Sequence, residues 1–162
     1  MAKFKNPNSP VQPHKGVYGW YAQKDGQETI AIYIGMAGKK KSHLPKGTLF
    51  RGISELQRNT FTSNSPYNTL NTDFIVGTAI LYFENLGFSC VWKHIDNDPN
   101  KELEKVDEQN PILQNIGNGQ IKKDFKVKKD EDYYWKNRNS KAGVEEAESE
   151  LFSLLEKHFL ER

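Results

Sequence analysis

Two short runs near the start of the chain, Val17 to Gln23 and Thr29 to Ile34, are rich in aromatic and β-branched residues, the composition of strands. Between them, Lys24-Asp25-Gly26-Gln27 is polar and holds an Asp-Gly turn signal, so the pair predicts a β-hairpin. The pattern then changes period. After a loop from Met36 to Gly47, Leu49, Ile53 and Leu56 recur at spacings of four and three, which predicts a helix with these residues on its core face and Thr48 as its cap. Asn59 to Asn71 is full of Asn, Ser and Thr and reads as loop. A second helix is expected from Thr72 or Asp73 through Leu86, with Gly87 as a left-handed stop, followed by a strand from Phe88 to Ile95.

From Asp96 to Lys141 the chain turns polar and lysine-rich. One short helix fits Lys101 to Glu108, and edge strands fit Asp124 to Val127 and Asp132 to Trp135. Beyond it, Val144, Ala147, Leu151, Phe152, Leu154, Leu155 and Phe159 mark one face of an amphipathic helix. The order β-β-α-α-β-loop-α predicts an α+β fold with a small antiparallel sheet of about three strands flanked by helices. Residues 1 to 15 carry three prolines and read as an extended arm. Residues 16 to 162 are expected to form one domain with a polar, basic insertion around 96 to 141.

Composition narrows the setting. The longest apolar stretch, Phe74 to Phe83, is far short of the ~20 residues a membrane span needs, and the start of the chain lacks the apolar core of a secretion signal. Cys90 is the single cysteine, so no intrachain disulfide and no cysteine-based zinc finger can form; a cytoplasmic protein is expected. The net charge is only +2, but the positive charge is clustered: Lys39, Lys40, Lys41, His43 and Lys46 form one group, and Lys122, Lys123, Lys126, Lys128 and Lys129 another. Solvated loops explain such clusters unless a phosphate-binding site lies beside them.

The hairpin supplies a reason to expect one. Its strands open on Gly16-Val17-Tyr18 and close on Tyr33-Ile34-Gly35, and the next helix carries an arginine in Leu49-Phe50-Arg51-Gly52-Ile53. This arrangement resembles the GIY-YIG nuclease family; the second motif matches letter for letter and the first has Val17 where the family has Ile. The specific likeness covers residues 16 to 58, and the distance from Tyr33 to Arg51 is long for the family because Gly38 to Gly47 looks inserted.

The resemblance implies a DNA phosphodiesterase that uses Mg2+ or Mn2+, with Gly16 and Gly35 as motif glycines. Tyr18 would act as general base or orient the attacking water, Tyr33 would hydrogen-bond the phosphate or its water, and Arg51 would grip phosphate oxygens with its planar fork. Arg58 on the same helix is expected at the surface. The inserted loop would lie beside the site, so Lys39, Lys40, Lys41, His43 and Lys46 are expected to contact DNA.

The resemblance also demands one metal-binding glutamate on a helix. Glu148 has the apolar helix around it, whereas Glu102, with Glu104 as a variant, has Pro111 and Asn115 downstream; Glu148 is the first choice, because the helix of Glu102 offers only Leu103 and Val106 as anchors. Glu145, Glu146 and Glu150 read as a solvated face. His43 and His94 are possible acid or base groups, and Asn64, Asn68 and Asn71 possible readers of base edges. A restriction-type or mobile-element enzyme is expected, dimeric if its site is symmetric. The alternatives are an inactive nucleic-acid-binding module of the same fold and an enzyme acting on RNA.

Overall fold

The computed structural model of the chain describes residues 2–4, 15–38, 47–58, 61–64, 67–117, 127–128 and 141–160. Its elements in order are β1 (Lys3–Phe4), β2 (Gly16–Gln23), β3 (Ile30–Ala37), α1 (Thr48–Gln57), β4 (Phe61–Asn64), β5 (Tyr67–Leu70), α2 (Thr72–Asn85), β6 (Ser89–Asp96), α3 (Glu102–Gln109), α4 (Ile112–Ile116), β7 (Val127–Lys128) and α5 (Lys141–Leu160). The fold is α+β. Strands β3, β2 and β6 form an antiparallel sheet with β2 in the middle, and β1 adds to β6 in parallel.

Central strand β2 is buried on both faces, which is why its sequence is nearly continuous in apolar and aromatic residues rather than alternating. Tyr18, Trp20 and Ala22 face the larger core with α2 and α5; Val17 and Tyr21 face a smaller cluster with Ala31, Ile34 and Val106. Helix α2 is buried almost all round through Phe74, Ile75, Val76, Ala79, Ile80 and Phe83. Ala147, Leu151 and Leu155 of α5 close the same core, along the stripe the sequence pattern marks.

Three parts differ from the sequence-based expectation. Within the Asn59 to Asn71 segment, Phe61–Asn64 and Tyr67–Leu70 are strands rather than loop: β4 and β5 pair antiparallel and β7 adds to β5, so a Ser/Thr/Asn-rich run contributes to a second small sheet. The N-terminal segment is not wholly an arm, since Lys3 and Phe4 pair with Val91 and Trp92. Helix α1 is turned over. Phe50, Ile53 and Leu56 are 50%, 42% and 36% exposed, while Thr48, Gly52, Ser54 and Glu55 are buried, so the helix lays its polar stripe on the sheet. The reason is that the sheet beneath offers hydrogen-bond partners for that stripe, described below. Of the predicted anchors only Leu49 packs against the core.

The polar insertion is more ordered at its start than its composition suggests. A 3-10 turn at Pro99–Lys101 leads into α3, and α4 buries Ile112 and Leu113 in the main core. Gln114 then straps α4 to the sheet, donating through Nε2 to the Ile34 carbonyl at 2.5 Å while its Oε1 accepts from the Ile34 amide at 3.4 Å. The Asp132 to Trp135 segment lies outside the described residues. No helix among the described residues is long and apolar enough to cross a membrane.

Candidate functional site

A register irregularity in the hairpin brings its two motif tyrosines onto one face. Trp20 pairs with Tyr33 but Tyr21 pairs with Ala31, leaving Ile32 as an extra residue in β3. Side chains alternate along a strand, so an extra residue reverses the faces beyond it. Ile32 and Tyr33 therefore both pack toward the main core, and Ile34 goes to the other cluster. Without the bulge Tyr33 would face away from Tyr18; with it the two rings meet edge to face at 6.3 Å between centroids.

The motif glycines have steric reasons. Gly35 sits directly opposite Tyr18, and a Cβ there would lie 2.5 Å from the Tyr18 hydroxyl oxygen and 2.6 Å from the ring carbon that bears it. Gly16 has φ of +136°, and a Cβ on it would come within 1.9 Å of the Asp96 carbonyl oxygen. Gly35→Ala is expected to push the Tyr18 ring aside and to destabilise the fold by ~1–3 kcal/mol, the usual cost of overpacking. Chemical denaturation measures it, and a variant as stable as wild type would mean that the ring has room to spare.

Helix α1 crosses this face and delivers its polar stripe to it. At the helix start Thr48 Oγ1 meets His94 Nδ1 at 3.0 Å, and His94 Nε2 meets Asn97 Oδ1 at 2.8 Å. An amide oxygen only accepts, so Nε2 donates to it and Nδ1 accepts from the Thr48 hydroxyl. This contact replaces the capping role expected of Thr48; the position before the helix is Gly47. One turn on, Arg51 donates to Asp73 Oδ1 at 2.7 Å, with the aspartate side chain 7% exposed and the arginine 31% exposed. Asp73 lies in the first turn of α2, where Asn71 accepts from its amide and caps the helix, so the carboxylate that holds Arg51 is itself fixed.

A second turn on lies Glu55, fully buried. Its Oε2 accepts from the Tyr18 hydroxyl at 2.7 Å and its Oε1 from Trp20 Nε1 at 2.9 Å. Burial pushes the Glu55 carboxyl up to about 8, against the opposing pull of the Tyr18 hydrogen bond and the Arg51 charge. The Tyr18 phenol is raised well above its ordinary value by burial first, then by the Glu55 and Tyr33 charges, with Arg51 opposing. Tyr33 is raised by burial and then by the carboxylates of Glu55, Glu102 and Asp73, again against Arg51. Tyr18, Tyr33, Arg51, Glu55 and Asp73 thus form one electrostatically coupled cluster, and the charge of Glu102 on α3 acts on Tyr33.

The predicted glutamates go to different places. Glu148 lies on α5 and pairs with Arg58 at 2.7 Å; Arg58 also donates to Thr78 at 2.9 Å and lies over the Phe74 ring at 4.9 Å. Arg58 is therefore a clamp between α1, α2 and α5 rather than a surface residue. Glu104 is exposed and pairs with Lys101 at 3.4 Å. Glu102 is half-buried at the start of α3 and acts electrostatically on Tyr33. Leu103 is 75% exposed, and α3 is held instead by Val106 against the Val17 and Tyr21 cluster and by a hydrogen bond of Tyr21 to Gln109.

No family model matches the chain, and no curated protein or solved structure matches it. The function therefore rests on this cluster of side chains. Lys39, Lys40, Lys41, His43 and Lys46 lie outside the described residues, as does most of the second lysine cluster. Glu55 and Asp73 were not singled out by sequence, although Thr48, Arg51 and Glu55 at spacings of three and four mark a polar stripe on α1. Among the described residues no group of three or more His, Cys, Asp and Glu is assembled for a metal. A single-carboxylate site is compatible with a hard cation that keeps most of its waters. Both oxygens of Glu55 accept hydrogen bonds and Asp73 is engaged by Arg51, while Glu102, half-buried at the start of α3, acts electrostatically on Tyr33.

Proposed function

We propose that the chain is a divalent-metal-dependent endonuclease of the GIY-YIG type, acting on the phosphodiester bonds of DNA. The observation that carries this reading is the convergence of Tyr18, Tyr33 and Arg51 on one end of the sheet, with Arg51 fixed on one side by Asp73 and partly exposed on the other. Asp73 engages one terminal nitrogen of the guanidinium, so other N–H groups remain to bind phosphate oxygens as negative charge builds on them. Tyr33, at the more open side of the pair, would donate to a phosphate oxygen or to the attacking water. Its raised pKa keeps the phenol protonated and able to donate. The oxygen of Tyr18, whose own proton points at Glu55, has a lone pair with which to accept from that water.

Glu102, whose charge acts on Tyr33, would hold Mg2+ or Mn2+. When bound, the ion supplies neutralisation of phosphate charge and a more acidic water. The lysine-rich run from Lys39 to Lys46 lies between β3 and α1 in the sequence, and in this reading it follows the DNA backbone. A symmetric recognition site would call for a homodimer.

Nicking of supercoiled plasmid with Mg2+, and its loss in EDTA, is the expected outcome. Glu102→Ala should lower the rate by about 10²-fold or more, as removal of a metal ligand does, whereas Glu148→Ala should keep it, because that carboxylate serves Arg58. Cleavage untouched by EDTA would sink the metal mechanism, and loss confined to Glu148→Ala would move the metal to α5. Retained DNA binding without any cleavage would favour the inactive module, and preference for RNA would change the substrate.

A further inference from the structure

We infer that Glu55 is the proton acceptor of Tyr18, so that the hydroxyl of Tyr18 and the buried carboxylate behind it work as one proton-transfer unit. For its purpose the inference rests on the phosphodiesterase reading; for its geometry it does not. Tyr18 is 1% exposed and its O–H is 2.7 Å from Glu55 Oε2, so this phenol has no proton to spare for a phosphate. Trp20 Nε1 occupies the other carboxylate oxygen at 2.9 Å, which fixes the plane of the carboxylate and aims Oε2 at Tyr18. An indole N–H only donates, so it supports Glu55 as an acceptor and gives no proton in exchange.

The transfer balances without any further reagent. As one O–H bond of the attacking water breaks, its proton joins the lone pair of Tyr18 Oη; the original Tyr18 O–H bond breaks, and that proton joins Glu55 Oε2. The electron pair left on the water oxygen becomes the nucleophile, and the proton returns along the same path to solvent after product leaves. A phenol alone, held far above its ordinary pKa by burial, could not take a proton and keep both. With Glu55 behind it, the phenol need never ionise, because it gives one proton as it receives another. Glu55 acts through Tyr18 and is in that sense a positioning residue rather than a catalytic one.

The groups that face Glu55 set when it can accept. Arg51 on α1 and the donors Tyr18 and Trp20 on β2 favour its charged form; Asp73 on α2 and the burial itself oppose it. The carboxyl titrates near 8 as a result, close to working pH, where an acceptor is most effective.

A carbon-13 titration of glutamate side chains in the full chain tests the pairing without any substrate. One carboxyl should titrate near 8, vanish in Glu55→Gln, and move up by about one pH unit in Tyr18→Phe, which removes a hydrogen bond to the charged form. A Glu55 that titrates in the ordinary carboxylate range, or is unmoved by Tyr18→Phe, overturns the inference even if Glu55→Gln fails to fold. In plasmid nicking, kcat of the wild type should rise with pH to a break near 8. Glu55→Gln should lose about 10²-fold in kcat together with that rising limb, with KM little changed, and Glu55→Asp should restore part of both. A Glu55→Gln enzyme with an unaltered pH profile overturns the relay. A wild type that cuts nothing while the carboxyl behaves as expected overturns the nuclease reading and leaves the pair standing.

Discussion

Glu55→Gln is expected to stabilise the protein at alkaline pH and to flatten the dependence of its stability on pH. In the folded chain the carboxyl is held neutral up to about 8, whereas in the unfolded chain it ionises near 4.5. Between those values the folded state binds more protons than the unfolded one, so folding stability falls as pH rises. Below about 4.5 the contribution is fully present, and it is lost as pH climbs through about 8. Each unit of separation is worth about 1.4 kcal/mol, so the whole window amounts to a few kcal/mol, on the order of 5. That is a large fraction of what holds an ordinary domain together. Glutamine keeps the shape and can still accept from Trp20 or Tyr18, yet it has no charge to bury. Urea unfolding of both proteins from pH 4.5 to 9 should therefore give curves that diverge, with the wild type losing ground steadily. Parallel curves would mean that Glu55 is charged at low cost in the folded state, and its buried position would then have no bearing on proton transfer. Burdens of this kind cluster at functional sites.

How much of this was legible in the sequence depended on whether a feature was local. The hairpin was, because Asp25-Gly26 and the aromatic runs on either side carry their own signals, and so was the α5 stripe, where Ala147, Leu151 and Leu155 keep helical spacing over several turns. The placing of Tyr33 beside Tyr18 was not, since it depends on one unpaired residue, Ile32, that looks like any other strand position until the register is known. Helix α1 misled for a related reason. Periodicity says that a helix has two faces, and hydrophobicity was used to choose between them. Here partners made the choice: Trp20, Tyr18, His94 and Asp73 each meet a group on the polar face, so burying Glu55 and Thr48 leaves few polar atoms unpaired. The anchoring of α3, which carries Glu102, is legible only in part: Val106 is marked by its hydrophobicity, but the hydrogen bond of Gln109 to Tyr21 joins residues far apart in the sequence.

Arg51 lies on α1 and Arg58 caps its end, and replacing each by alanine is expected to produce opposite losses. Arg51→Ala should reduce plasmid nicking by about 10²–10³-fold, the range seen when a donor aimed at developing charge is removed. Its stability should fall by only about 1 kcal/mol, because the bridge to Asp73 is partly open to water and Asp73 remains favourable in the first turn of α2. Arg58→Ala should do the reverse. Its guanidinium ties Thr78 of α2 and Glu148 of α5 to the end of α1 and covers the Phe74 ring, and the residue itself is in the left-handed region, with φ of +53°. Truncation removes a hydrogen-bonded ion pair, a cation–π contact and the packing of the side-chain stem at once, a combined loss of roughly 2–4 kcal/mol. Nicking by the folded fraction should stay within a few-fold of wild type, because Arg58 faces α5 and not the tyrosines. Unfolding curves and nicking rates measured on the same two preparations separate the roles. Equal loss of activity in both variants at a temperature where both are folded would mean that the phosphate is gripped along the whole of α1, and that the division between a site arginine and a clamp arginine does not hold.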